Sequence, residues 1–157
     1  MFHPTYKRGC IVKHMLLFIL SVVSESFKLQ SAAIPDFFIG ENQTKKLTLV
    51  EEPFADVFVL EFAGLNKDDI VAVPTKGGVI WELDEALGRL SYTDLKHGGL
   101  GQRFKIVKRP FGLYKIMNGG SGCVTLDFRT EDFRKTTCND DDLKQFFRLI
   151  EMPTRGF

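Results

Sequence analysis

The chain has 157 residues, is 44% hydrophobic and 26% charged, and carries a formal net charge of +1. That length suits one domain with a core of its own, and the composition is that of a globular protein rather than a disordered polymer. Near-neutrality with no long run of one sign argues against the basic face of a nucleic-acid binder.

The first 26 residues stand apart. Lys7, Arg8, Lys13 and His14 precede an apolar run from Met15 to Val23, and the small residues Ser24 and Ser26 follow. A basic stretch, a short apolar core and small residues compose a secretory signal peptide. The run is shorter than the roughly 20 residues that a spanning helix needs, so no membrane span is expected. Residues 1–26 are read as this peptide, whether translation starts at Met1 or at Met15. Its removal takes Cys10 and leaves Cys123 and Cys138, an even number in a secreted chain. Asn42-Gln43-Thr44 is a glycosylation sequon with Asn42 as acceptor, which suits the same extracellular destination.

From residue 27 onward, short strand patterns follow one another, separated by Gly, Asn, Asp and Pro. They fall at 27–29, 37–39, 47–50 and 56–62; at 70–73, 79–81, 90–92 and 102–108; and at 114–116, 123–126, 135–138 and 145–151. The last member of each set has an aromatic followed two residues later by an aliphatic: Phe58 and Leu60, Phe104 and Ile106, Phe147 and Leu149. Each pair points to one strand face. The aromatics recur after 46 residues (58 to 104) and 43 residues (104 to 147). The opening residues Phe27, Ile70 and Tyr114 precede their closing aromatics by 31, 34 and 33 residues.

Three units of about four strands and roughly 40 residues each are the arithmetic of an all-β fold, the β-trefoil. No unit can bury its apolar face alone, whereas three around a pseudo-threefold axis close a barrel and remove its exposed edges. The domain is predicted to span 27–157, with repeats at 27–66, 67–111 and 112–153.

The third unit resembles one repeat of the ricin B-type lectins. Tyr114-x-Ile116, the Ser121-Gly122 turn and Cys123 are followed by Cys138, then by Gln145 and Phe147 where that family has Gln-x-Trp. Gln102 and Phe104 repeat the ending in unit two; in unit one Asp56 stands in place of Gln. The resemblance implies a lectin-like trefoil and a disulfide between Cys123 and Cys138, closing a 15-residue loop worth about 3 kcal/mol in the chain-entropy model. Phe58, Phe104 and Phe147 are assigned to the core, and the Gln side chains to backbone groups of a neighbouring loop.

In that family a working repeat takes sugar hydroxyls on an Asp after the first Cys and an Asn beside the Gln. An aromatic before the second Cys stacks on the ring. Here Thr125 stands two residues after Cys123, with Asp127 two further on. Thr136, which cannot stack, precedes Cys138, and Lys144 occupies the Asn position with Asn139 and Asp140 to Asp142 nearby. Carried over to the nearest matches, the carbohydrate-binding set is Asp127, Asn139 and Gln145. The same three are more commonly turn and network residues. Trp81, Glu82, Asp84, Tyr92 and Gln102 form a non-matching set in unit two, and Glu41 and Asn42 lie nearest in unit one.

Nothing points to catalysis, a metal or a cofactor. Beyond the signal peptide a single histidine, His97, stands before Gly98 and Gly99, and the acidic runs Asp68-Asp69 and Asp140-Asp141-Asp142 lack calcium-loop spacing. The reading that follows is a secreted lectin-like trefoil whose partner is a carbohydrate or glycoprotein. Two others stand beside it. One is a trefoil protease inhibitor of the Kunitz kind presenting Gln43-Thr44-Lys45-Lys46; the other is a structural or adhesive surface protein.

Overall fold

The computed structural model describes residues 26–62, 70–74 and 78–153. The expected signal peptide, apart from Ser26, lies outside the described residues, as do the boundary between the first two repeats and the Asp68-Asp69 pair. Twelve strands follow in chain order: β1 Ser26–Ser31, β2 Phe37–Glu41, β3 Leu47–Glu51, β4 Phe58–Phe62, β5 Ile70–Pro74, β6 Ile80–Asp84, β7 Arg89–Thr93, β8 Lys105–Lys108, β9 Tyr114–Asn118, β10 Gly122–Leu126, β11 Phe133–Thr137 and β12 Phe147–Glu151. Every expected strand is present. Strand β11 begins at Phe133, two residues before its expected start, and ends one short of Cys138.

All the pairings are antiparallel. Strand β1 pairs with β12 from Phe27↔Glu151 to Ser31↔Phe147 and also with β4. Strand β4 pairs with β5, β8 with β9, and β9 with β12, while β5 lies against β8. Those six strands make a closed ring, two from each repeat. The other six form three hairpins, β2–β3, β6–β7 and β10–β11, which cap one end. The caps touch pairwise through Lys46↔Ser91, Thr48↔Asp132 and Arg134↔Arg89, so each repeat is tied to both others. This is the β-trefoil.

The alternation in the sequence becomes the core directly. Along β1, Phe27, Leu29 and Ser31 are buried while the residues between them are not. The three closing aromatics Phe58, Phe104 and Phe147 are 0%, 1% and 0% exposed. Leu47, Leu90 and Phe133, at equivalent points of the third strands, form a second buried layer, and Ile39, Trp81 and Val124 a third. Trp81 packs edge-on against Phe58 and Phe104, with ring centroids 5.2 and 5.6 Å apart. Burial of such side chains is worth about 1.5–3 kcal/mol each, so this axis of aromatics carries much of the fold. Trp81 and Tyr92 are therefore core residues, not part of an open site in unit two.

Candidate carbohydrate-binding site

The third hairpin builds the site. Cys123 and Cys138 form a disulfide with Cα atoms 5.0 Å apart, fixing the end of β11 to β10. At the other end, residues 127–132 turn the chain. Asp127 makes that turn. Its N–H donates to Asp132 O at 2.9 Å, its carbonyl accepts from Glu131 N–H at 2.8 Å, and its Oδ1 accepts from Arg129 N–H at 2.9 Å. Side chains of Asp and Asn fold turns in this way by bonding the backbone two residues on. The same device recurs at Asn42, whose Oδ1 accepts from Thr44 N–H at 2.9 Å, and at Asp84, whose Oδ1 accepts from Ala86 N–H at 3.0 Å. Asp127 is thus first the turn residue of its repeat.

Only one carboxylate oxygen of Asp127 is used by the turn. The other lies 3.0 Å from Arg134 Nε, an ion pair outside hydrogen-bonding alignment. The Arg129 N–H, and then the Arg134 and Arg129 charges, hold this carboxyl below its usual range. It is an acceptor at neutral pH.

Gln145 is buried and organises the same region from beneath. Its Oε1 accepts from Asn139 N–H at 2.8 Å; its Nε2 donates to Thr137 O at 2.8 Å and Thr136 Oγ1 at 3.2 Å. Thr125 Oγ1 donates to Cys123 O at 3.0 Å, which leaves Thr136 as the donor across the 2.6 Å contact between the two hydroxyls. Proton direction therefore runs from Gln145 to Thr136 to Thr125 to the Cys123 carbonyl. Both hydroxyl protons are spent on the protein, so toward a further partner these oxygens can act only as acceptors.

Thr125, Asp127, Phe128, Arg129, Arg134, Thr136 and Lys144 line a shallow cleft of about 320 Å³. Phe128 is 56% exposed beside the polar groups, with Lys144 Nζ 5.6 Å from its ring centroid. Of the residues singled out from the sequence, Asp127 lines the cleft and Gln145 supports it through Thr136. Asn139 does not line it: its N–H caps Gln145, and its Oδ1 accepts from Asp141 N–H at 3.0 Å. Phe128 and Arg134 escaped the sequence reading. An aromatic set inside a polar turn, Asp127-Phe128-Arg129-Thr130, is the signal that would have found the first; Arg134 carries no such mark.

Elsewhere, Gln102 does for unit two what Gln145 does for unit three. Its Oε1 accepts from His97 and Gly98 N–H groups at 2.9 and 3.1 Å, and its Nε2 donates to Leu95 O at 2.7 Å. His97 Nε2 lies 2.6 Å from Glu82 Oε1, in a loop contact. Among the described residues no group of three His, Cys, Asp or Glu side chains is placed to hold a metal ion. None of the described helices is long and apolar enough to cross a membrane.

No protein-family model and no curated protein sequence matches the chain. Solved structures do match its fold. The Polyporus squamosus lectin bound to the epitope Neu5Aca2-6Galb1-4GlcNAc is similar over 79% of this chain and 48% of its own, at 15% identity and a TM-score of 0.66. The designed threefold-symmetric protein ThreeFoil is similar over 81% of this chain and 99% of its own, at 12% identity and a TM-score of 0.65. A GlcNAcα1-4Gal-releasing endo-β-galactosidase from Clostridium perfringens matches over 82% of this chain, at 9% identity and a TM-score of 0.69. This chain spans about half of that lectin and 33% of that enzyme. At such identities the likeness is one of fold alone: the chain has the β-trefoil fold.

Proposed function

We propose that the protein is a secreted, non-catalytic carbohydrate-binding trefoil that holds a sugar or the glycan of a glycoprotein in the cleft of its third repeat. The observation that carries this is the set of convergent acceptors, Thr125, Thr136 and Asp127, beside the open ring of Phe128. Hydroxyls of a saccharide would donate to those oxygens, Arg129 and Lys144 would donate to its ring and glycosidic oxygens, and Phe128 would meet its C–H face. The volume suits one or two sugar units in a shallow site. Glycoside hydrolysis ordinarily needs two carboxylates flanking the bond, and this cleft is lined by one, itself engaged by a turn and an arginine. The leader-like sequence at 1–26 and the sequon at Asn42 support secretion and glycosylation.

A glycan array with the folded domain, displayed multivalently so that weak sites register, tests the proposal. Binding to at least one glycan class is expected, reduced about tenfold or more in Phe128→Ala and Thr125→Val with the melting temperature of Phe128→Ala unchanged. Absence of binding to every glycan at high density would overturn it. The inhibitor reading has less support: Asn42 Oδ1 gathers Thr44 N–H, Thr44 Oγ1 and Lys46 N–H, and Lys46 bridges to Ser91. That loop is a tight turn tied to the next repeat rather than a protruding one.

A further inference from the structure

A second cleft, of about 260 Å³, lies where repeats two and three meet, and its chemistry differs from the first. Arg103, Lys105, Lys135, Asn118 and Glu85 line it, together with the exposed Leu100. Lys135 lies flat against β10 and is anchored at its tip. Its stem crosses the backbone of Gly122 so closely that a Cβ there would fall 2.0 Å from Lys135 Cε and 2.8 Å from its Cδ. Its ammonium donates to Oδ1 of buried Asn118 at 3.1 Å. Both Nδ2 protons of Asn118 are already given, to Leu100 O at 2.9 Å and Arg103 O at 2.8 Å, so the amide cannot turn. Arg103 is steadied in turn, its Nε donating to Gly98 O at 2.9 Å.

Fixing a lysine costs side-chain entropy, and an ion pair commonly offsets that cost. Here no carboxylate of the described residues lies within ion-pairing distance of Lys135 or Arg103. Two cations are thus held in place with protons left to donate and no ion pair of their own among the described residues, and with Lys105 they outnumber the one carboxylate, Glu85, that lines the cleft. We propose that this cleft binds an anionic group, a sulfate ester or a carboxylate, carried on a saccharide chain. Lys135 and Glu85 also border a neighbouring cleft of about 340 Å³ whose wall includes Ser121 and Thr137, and their hydroxyls would receive the adjoining sugar. The saccharide part rests on the carbohydrate-binding reading above; the anion part does not.

Calorimetric titration at low salt, with three oligosaccharides of equal length, tests this: one sulfated, one carboxylated and one neutral, with inorganic sulfate as a fourth probe. The sulfated or the carboxylated chain is expected to bind at least about tenfold tighter than the neutral one, weakening as salt rises. Whichever of the two binds identifies the anion. Lys135→Met removes that preference. So does Gly122→Ala, which keeps every charge and displaces only the lysine stem. Lys108→Met, an exposed lysine outside both clefts, leaves the preference intact. Equal losses in all three variants would mean diffuse charge attraction and overturn the proposal, as would binding of neutral glycans with no preference for acidic ones, which leaves the first cleft's function standing. Binding of inorganic sulfate without any oligosaccharide would overturn the saccharide part and retain an anion site.

Discussion

Gln102 and Gln145 are uncharged and buried, and each closes a loop by serving three or more backbone or side-chain partners. Replacing Gln145 with Leu keeps the volume but strands the Asn139 N–H and the Thr137 carbonyl. A fully buried group left unpaired costs about 1–3 kcal/mol, and these two are partly buried, so chemical denaturation should show a loss of roughly 1–2 kcal/mol. Glycan binding should fall too, because Thr136 loses the donor that sets the proton direction at Thr125. These glutamines were legible in the sequence, since they precede the closing aromatics at a fixed offset. Trp81 and Tyr92 were not: an aromatic next to Glu82 and Asp84 reads as a site, and only packing against Phe104 of its own repeat and Phe58 of the first turns it inward. Phe128 went the other way, because the turn folded by Asp127 leaves its ring outside.

At the scale of elements, the third hairpin is the one covalently closed. The bridge between Cys123 and Cys138 spans 15 residues, and its loss should lower stability by about 3 kcal/mol in the chain-entropy model. Comparing the oxidised protein with a Cys123→Ala/Cys138→Ser variant by denaturant melts would measure this. The sequence alone placed the two cysteines in one unit, and the family resemblance supplied their pairing. Strand order was legible because short apolar segments separated by Gly, Asn, Asp and Pro recur in three sets of four. The start of β11 was missed: Glu131-Asp132-Phe133 reads as an acidic turn, whereas the Leu126↔Phe133 pairing carries the ladder up to it. The hairpin turns differ in length while their first residues, Asn42, Asp84 and Asp127, do the same work. Repeat symmetry is thus held by single side chains where the loops diverge.

Over the whole molecule, the repeats are bound to one another by polar as well as apolar contacts. Asp56, at the entry to β4, accepts a hydrogen bond from the Tyr92 hydroxyl of the second repeat. Burial raises the Asp56 carboxyl above its usual range, against the lowering effect of that bond; burial, then the Asp56 charge, pushes the Tyr92 hydroxyl well above its own. A carboxyl raised in the folded state is protonated more readily there than in the unfolded chain. Its contribution is therefore fully present below about pH 4 and is lost as pH rises through the folded value. Asp56→Asn keeps an acceptor for Tyr92 without the buried charge. The variant should gain stability over the parent as pH is raised from about 4 to 7, and the two should converge below that range, as thermal melts across pH would show. No inspection of the sequence would pair Asp56 with Tyr92, 36 residues away, because the partnership exists only once two repeats are docked.

The ladder between β1 and β12 joins the first described strand to the last. While the chain is being made, Phe27 and Leu29 wait without their partners until Leu149 and Glu151 have emerged. At ordinary synthesis rates that interval is on the order of ten seconds. The barrel cannot close in stages from one end, and contacts this distant in sequence make for slow folding. During the delay an apolar strand with a bare edge is open to other chains, which makes the period of synthesis, rather than the finished fold, the time of greatest exposure to aggregation.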